Sequence, residues 1–412
     1  MINSFKIDRR RIYLLLLLLV MILMTVGYNL SSYSIGTLIL FYLVDKNLIK
    51  KIREVNIKMY FPFLFYFSLL LIGLIYTDNM GKGIKLITTS ISFLVLPLIL
   101  LTEKISKNQI FKLLIIYKYW LIVLALYLMV HKVYIQGGPL WTMTLFTLKT
   151  EIGIHQLYFS QFYYLGLLIA SYQIIKRSKK TVIIFIELLF FIFFIILLGS
   201  VTAIIITLLT SLMLIFFFFS KERNAVKGGL ITLLFLGVFF VSKTAIVKSK
   251  IKKIQTIDWT LSSNINTHKE LKEGFGKVNT LNLRFIKWHC AKEIIINNIW
   301  FGVGTGDAKD TLVEEYKKIG FKNGIESRYN AHNQYLETFL KFGIFGFLSI
   351  LLLLGLYFKY AFKHKSFFIF FITLFLSLAF MFESMLERQH GIIFLSLFLP
   401  LFYVFNKENY YK

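Results

Sequence analysis

One cysteine and four prolines are all the chain holds of either type in 412 residues. Cys290 alone cannot close an intramolecular disulfide, so no disulfide framework organises the fold and the redox compartment is not readable from cysteine. No His-x-x-x-His or Cys-x-x-Cys pair occurs and the seven histidines are scattered, which leaves no metal-ligand spacing. Acidic residues are scarce: 21 Asp and Glu stand against 47 Lys and Arg, a net charge of +26. The glycines of "FGVGTGDAKD" (301–310) have neither the Lys-Ser/Thr of a P-loop nor G-x-G-x-x-G spacing, so they read as a tight turn after a helix. No internal repeat of fixed period stands out.

What the chain does have is apolar length. Hydrophobic residues make up 57% and aromatic residues 17%. Runs of about 18 to 22 apolar residues are long enough to cross roughly 30 Å of hydrocarbon as helices. Twelve candidate spans lie near 12–28, 33–44, 59–76, 84–101, 111–130, 154–175, 181–198, 201–219, 228–247, 335–358, 366–382 and 392–406. The expected fold is an all-α polytopic membrane protein with a long helical loop between spans nine and ten. It divides into helices one to nine (1–247), the loop (248–334), and helices ten to twelve with a tail (335–412). The basic start "KIDRRRIYLLLLLLVMILMTVGY" has no clear small-x-small cleavage site and reads as a retained first span.

The positive charge has a topological explanation. "DKNLIKKIREVNIK", "TEKISKNQIFK", "KRSKK", "SKERNAVK" and "KYAFKHK" alternate with short loops that are nearly free of Lys and Arg. The positive-inside rule then puts both termini in the cytoplasm and residues 248–334 on the outer side. Nucleic acid is not an expected partner, whereas membrane lipids are. Glu187 and Lys118 fall near cytoplasmic span ends, where long side chains snorkel to water. A coupled transporter carries charges or broken helices at mid-membrane, so a flippase or exporter is the weaker reading here.

Chemistry-bearing residues collect in the outer segment. "TLNLRFIKWHCAKEIIINNIW" (280–300) has helical periodicity, with Leu281, Arg284, Trp288, Ala291, Ile295 and Ile299 recurring at three- and four-residue steps and Asn297–Asn298 as a stop. An arginine fork suits a diphosphate, and a tryptophan one turn away packs on a sugar or holds the arginine. His332, in "SRYNAHNQYLETFLKFGIFGF", has the proton affinity of a general base for a hydroxyl. The alternative is an inert helix-entry histidine. "FGIFGF" (342–347) serves close helix packing. "KTAIVKSKIKKI" (243–254) reads as interfacial. Lys82, Lys85, Lys149, His155 and "ESMLERQHG" (383–391), with Glu383, Glu387, Arg388 and His390, are further outer candidates, the last a turn expected to be wet.

"LRFIKWHCAKEIIINNIWFGVGTGD" followed by "AHNQYLETFLKFGIFGF" resembles the O-antigen ligase and O-antigen polymerase superfamily of bacterial envelope proteins: an arginine-bearing helix, a G-x-G turn, then His-Asn-x-Tyr-Leu running to G-x-x-G. The resemblance implies a GT-C-type membrane glycosyltransferase that uses no nucleotide sugar, no cofactor and no metal. Its donor would be a glycan on undecaprenyl diphosphate and its acceptor lipid A–core or another glycan. The catalytic positions fall on His332 and Arg284, and Trp288, Asn333 and Arg328 join them as substrate-binding candidates. Where the family often shows Ser-Arg at the start of the eighth span, this chain reads "GSVTAIII", with Val201 in the arginine position. Lys243, Arg328 or Arg388 would have to replace that contact. A ligase is the leading expectation, a repeat-unit polymerase the close rival, and a lipid-linked glycan flippase or exporter the third reading.

The orientation is testable. With Cys290 replaced, cysteines introduced at Lys179, Lys221 and Lys363 should resist a membrane-impermeant thiol reagent in intact spheroplasts. Cysteines at Lys272 and Lys317 should react. Labelling of the first group would overturn this topology.

Overall fold

The computed structural model describes residues 8–135, 153–176, 181–218 and 280–407, and these are helical, with no β-strand among the described residues. The helices are α1 (Arg9–Leu23), α2 (Tyr28–Leu43), α3 (Leu48–Arg53), α4 (Ile57–Ile75), α5 (Met80–Thr102), α6 (Lys107–Val130), α7 (Gln156–Ile175), α8 (Thr181–Leu198), α9 (Val201–Phe218), α10 (Thr280–Asn297), α11 (Ala308–Lys318), α12 (Lys322–Ser327), α13 (Gln334–Lys363), α14 (Phe367–Phe380) and α15 (Gln389–Lys407). Local signals explain several starts. Asp8 accepts from Arg10 N at α1, and Ser106 with Gln109 forms a reciprocal capping box at α6.

Among the described residues five helices are long and apolar enough to cross a membrane: Ile57–Ile75, Met80–Thr102, Lys107–Tyr134, Gln334–Lys363 and Gln389–Lys407. Shorter apolar helices occupy Val182–Leu198, Val201–Phe216 and Phe367–Phe380. The architecture is that of an α-helical multi-pass membrane protein, and it supports the expected twelve spans only in part. At 15 and 16 residues, α1 and α2 are short of the roughly 20 that a perpendicular span needs. The second begins at Tyr28, earlier than the pattern indicated. The ninth expected span (228–247) and the 243–254 stretch lie outside the described residues.

A single helix sits at the centre. Every residue of α7 from Gln156 to Ser171 is buried, although the run includes Ser160, Gln161 and three tyrosines. Its rings lock it to neighbours on all sides: Tyr163 to Phe194 of α8 at 4.4 Å, Tyr164 to Phe375 of α14 at 4.5 Å, and Phe162 to Phe394 of α15 at 5.9 Å. Such tilted and stacked pairs add roughly 0.5–1.5 kcal/mol each beyond area burial. At the end of the bundle away from α10, Asp45 accepts from Lys51 at 2.5 Å and pairs with Arg9 at 3.2 Å, while Lys51 also reaches Glu103 at 2.6 Å. That cluster ties α1, the α2–α3 turn, α3 and the end of α5.

Lys118 and Glu187 do not snorkel. The Lys118 ammonium is fully buried, pairs with Glu187 and donates to Gln173 Oε1 at 2.8 Å. An ammonium enclosed by α6, α7 and α8 has no route to water, and the carboxylate replaces its hydration.

The longest helix is broken. Gly343 takes φ 61° and ψ −151° inside α13, which separates Gln334–Phe342 from a twenty-residue apolar stretch, 344–363. A break leaves carbonyls and an N–H without helical partners, and buried backbone groups must find others. The turn after α10 supplies them: Val303 N donates to Leu340 O at 2.9 Å, Gly304 N to Lys341 O at 3.0 Å, and Ile344 N to Ile299 O at 2.8 Å. Gly302 (φ 69°) and Gly343 lie so close to the facing backbone that a Cβ on either would overlap it. The same turn continues to α4. Thr305 N donates to Gly73 O at 3.1 Å, Thr305 Oγ1 to Leu70 O at 2.7 Å, and Gly306 N to Thr77 Oγ1 at 3.2 Å. Asp307 then accepts from Asp78 N at 2.8 Å and Asn79 N at 2.7 Å.

The buried pair yields a prediction. Glu187→Leu alone should lower stability by about 3–5 kcal/mol, because it strands a buried ammonium, whereas Lys118→Met with Glu187→Leu should be close to neutral. Thermal unfolding of the purified protein in one detergent measures both. A harmless single substitution would refute the enclosed-pair reading.

Candidate functional site

The site grows from the approach to α13. Residues 328–333 are fixed by their own polar groups: Asn330 Oδ1 accepts from His332 N at 3.2 Å and Glu337 Oε2 from Ala331 N at 2.9 Å. Asn333 caps α13, accepting from Leu336 N at 3.2 Å. Its side-chain oxygen thus holds the start of the helix. His332 itself takes φ 48°, a left-handed conformation that costs a β-carbon-bearing residue energy and that the surrounding contacts must impose.

The turn after α14 closes over this approach, and it is not wet. Glu383, Ser384, Met385 and Leu386 are buried. Leu386 N donates to Gln334 Oε1 at 2.6 Å, Ser384 Oγ to Glu337 Oε2 at 3.4 Å, and Lys341 pairs with Glu387. His390 is likewise buried, its ring edge-on to Tyr28 at 4.2 Å. These contacts bring Glu383 Oε2 to 3.1 Å from His332 Nδ1. Burial opposes the charge on Glu383. The hydrogen bond from His332 and the positive field of His332, His155 and Arg388 outweigh it and hold the carboxyl below the ordinary carboxylate range. An ionised carboxylate only accepts, so Nδ1 carries the hydrogen and Nε2 keeps the basic lone pair. The His332 side chain is 27% accessible against 7% for Glu383, so the base reaches solvent while its partner does not.

The expected helix over 280–300 is present as α10, ending at Asn297 as the Asn–Asn signal indicated. Ala291 and Ile295 are buried as their spacing required, whereas Ile299 is exposed. Arg284 is half-buried with its guanidinium 5.7 Å from the Phe382 ring, beside Glu383. Burial lowers its pKa and the Glu383 charge opposes that. Trp288 packs against Phe285 at 5.7 Å and Phe382 at 6.5 Å, and so holds the aromatic wall under Arg284. Lys287, one turn on from Arg284, lays its ammonium 3.7 Å over the Tyr329 ring, and Tyr329 stands against His332 at 6.1 Å. Burial, then the charge of Arg284, pushes Lys287 down to about 7 against the pull of Glu383. Arg284, Phe382, Glu383, His332, Tyr329 and Lys287 thus form a closed ring of contacts and charges.

The remaining candidates divide. Arg328, also left-handed at φ 47°, pairs with Asp310, which takes Lys82 at 2.6 Å and Asn79 Nδ2 at 2.8 Å, so Lys82 braces α11 against α5 and Arg328 ties the end of α12 to α11. Arg388 is exposed and contributes charge to Glu383 and His155. His155 caps α7, accepting from Leu157 N at 3.4 Å. Lys85 is exposed. Val201 opens α9, where it offers no charge. Lys243 and Lys149 lie outside the described residues. The 302–306 turn commits each backbone N–H to a protein acceptor, which leaves no cradle for a phosphate. Among the described residues no group of three or more His, Cys, Asp or Glu is placed to hold a metal ion.

Residues 187–351 match the family model described as O-antigen ligase. This stretch is similar to that family and agrees with the superfamily that the two motifs resembled. The match ends within α13 and includes α10, the glycine turn and His332, but not Glu383. No curated protein matches the chain. Glu383 and Lys287 are the site residues that sequence reasoning undervalued. The available signal was a carboxylate directly after an apolar helix and a lysine one turn from the arginine; neither states which side chains the folded loop turns inward.

Proposed function

We propose that the protein transfers a glycan from undecaprenyl diphosphate to a hydroxyl acceptor, with His332 as general base and Arg284 as the anchor of the leaving diphosphate. The observation that carries this reading is the His332–Glu383 pair beside Arg284: a basic nitrogen, its orienting carboxylate and a fixed cation on three separate elements. His332 Nε2 takes the proton of the acceptor hydroxyl as its oxygen bonds to the anomeric carbon. The carbon–oxygen bond to the diphosphate breaks with its electron pair on the diphosphate, where Arg284 meets the growing charge. The proton leaves His332 to solvent. The sugar's anomeric configuration inverts, because attack is opposite the departing group. Glu383 stabilises the imidazolium and keeps Nε2 aimed, the role a carboxylate plays beside a catalytic histidine generally.

The site lies on the periplasmic face of the inner membrane in this reading, following the charge asymmetry of the loops. No nucleoside triphosphate is required there, since the sugar–diphosphate bond carries the energy. We favour a ligase acting on lipid A–core, because the arginine helix, glycine turn and histidine share one long loop. A repeat-unit polymerase is the second reading, and Val201 in place of an arginine supports it as the mark of a divergent substrate site.

His332→Ala should abolish transfer in a membrane assay with the protein still inserted and abundant. Glu383→Gln should lower kcat by about 10²-fold or more, since it removes the carboxylate that orients the base. Arg284→Lys should also be strongly impaired, one ammonium being unable to reproduce a bidentate grip. EDTA should have no effect. Normal transfer by the histidine variant would sink the base assignment, and strict metal dependence the mechanism.

Gene deletion separates the two acceptors. Loss of a ligase should leave bare lipid A–core and long polymers on the lipid carrier. Core bearing single repeats would instead identify a polymerase.

A further inference from the structure

We infer that Lys287 is a second diphosphate-binding cation, set on the same wall of α10 as Arg284 and held over Tyr329 to meet the phosphate that Arg284 does not reach. The inference rests on the transfer reading above and names a residue that reading does not require. A lipid–sugar diphosphate carries a negative charge on each phosphate, and one guanidinium grips one of them well.

The other nearby cations are engaged or poorly placed. Arg328 and Lys82 share the Asp310 carboxylate, and Arg388 faces solvent. Lys287 differs from all of these. It is only 5% exposed, yet its ammonium makes no hydrogen bond or ion pair among the described residues, and the Tyr329 face at 3.7 Å is its one close partner. Burying an ammonium without an acceptor is expensive, and a cation–π contact returns only part of that cost. The arrangement makes sense where an anion arrives to complete it.

The groups facing Lys287 come from three elements. Arg284 on its own helix repels it, Glu383 after α14 attracts it, and Tyr329 before α13 lies beneath it with His332 against the same ring. In the free protein burial first, then the charge of Arg284 against that of Glu383, places its pKa at about 7, so below neutrality the ammonium is ready for an anion. As pH rises above that value, binding must first recover a proton, and affinity falls by up to about tenfold per unit. An arginine at 287 would stay charged throughout.

The test is binding of a polyprenyl diphosphate diester bearing one sugar, a probe with no ionisation of its own near neutrality, to the full-length protein in nanodiscs from pH 6 to 9. Wild-type affinity should weaken through neutral pH. Lys287→Met should bind roughly tenfold or more weakly at pH 6. Lys287→Arg should retain tight binding and lose the pH dependence, which a purely structural lysine would not produce. Should Lys287→Met fail to fold, the Lys287→Arg profile decides: a decline with pH matching wild type overturns the inference. Unchanged affinity in Lys287→Met while Arg284→Ala loses binding also overturns it and leaves the transfer reading intact. If His332→Ala still transfers and Arg284→Ala still binds, the transfer reading itself has failed.

Discussion

The break in α13 at Gly343 is the constraint on which the site depends. A membrane helix cannot leave backbone carbonyls unpaired, so opening it obliges another segment to fill the gap. The turn at 299–305 does so with N–H groups at 2.9 and 3.0 Å and a carbonyl at 2.8 Å. That one exchange anchors α10 at its C-terminal end, directs Gln334–Phe342 as a separate helical piece, and joins both to α4 and α5 through Thr305 and Asp307. Arg284 and His332 come from segments about fifty residues apart, and this knot of backbone bonds brings the two segments to one place.

Above the knot the chemistry is organised by charge compensation. Buried Glu337 and Lys341 are satisfied by one another, by Ala331 N, by Ser384 and by Glu387. That network draws the turn after α14 down over the loop and delivers Glu383 to His332. Lys118 and Glu187 do comparable work deep between α6, α7 and α8, where their pairing fixes helix positions. The same kind of interaction thus has two uses, one holding the bundle and one setting a carboxylate against His332. The strained backbone at His332 belongs with the second use. Strain at φ 48° persists because Asn330, Asn333 and Glu337 hold the residues on either side.

"FGVGTGD" forms the tight turn that its spacing indicated, and its N–H groups from 302 to 306 are all consumed by protein acceptors. What the sequence did not record is the partner of each polar group. Asn333, adjacent to the histidine, caps a helix, and Arg328 meets Asp310 eighteen residues away in sequence.

Several features were legible in the sequence alone. Apolar length and the spread of basic loops determined a multi-pass helical protein, because hydrocarbon admits little else. Period and stop signals determined the α10 helix almost to the residue. The paired motifs resembled the superfamily whose family model matches residues 187–351, and they drew attention to Arg284 and His332. The tertiary structure alone decided which of the described helices are long enough to span, the enclosure of Lys118, the dry turn at 383–386, and which of the described cations are paired. Those depend on which distant groups meet across the bundle. A helix reports its own periodicity, but whether a lysine is wet, paired or left waiting is set by neighbours dozens to hundreds of residues away, whose positions no local pattern records.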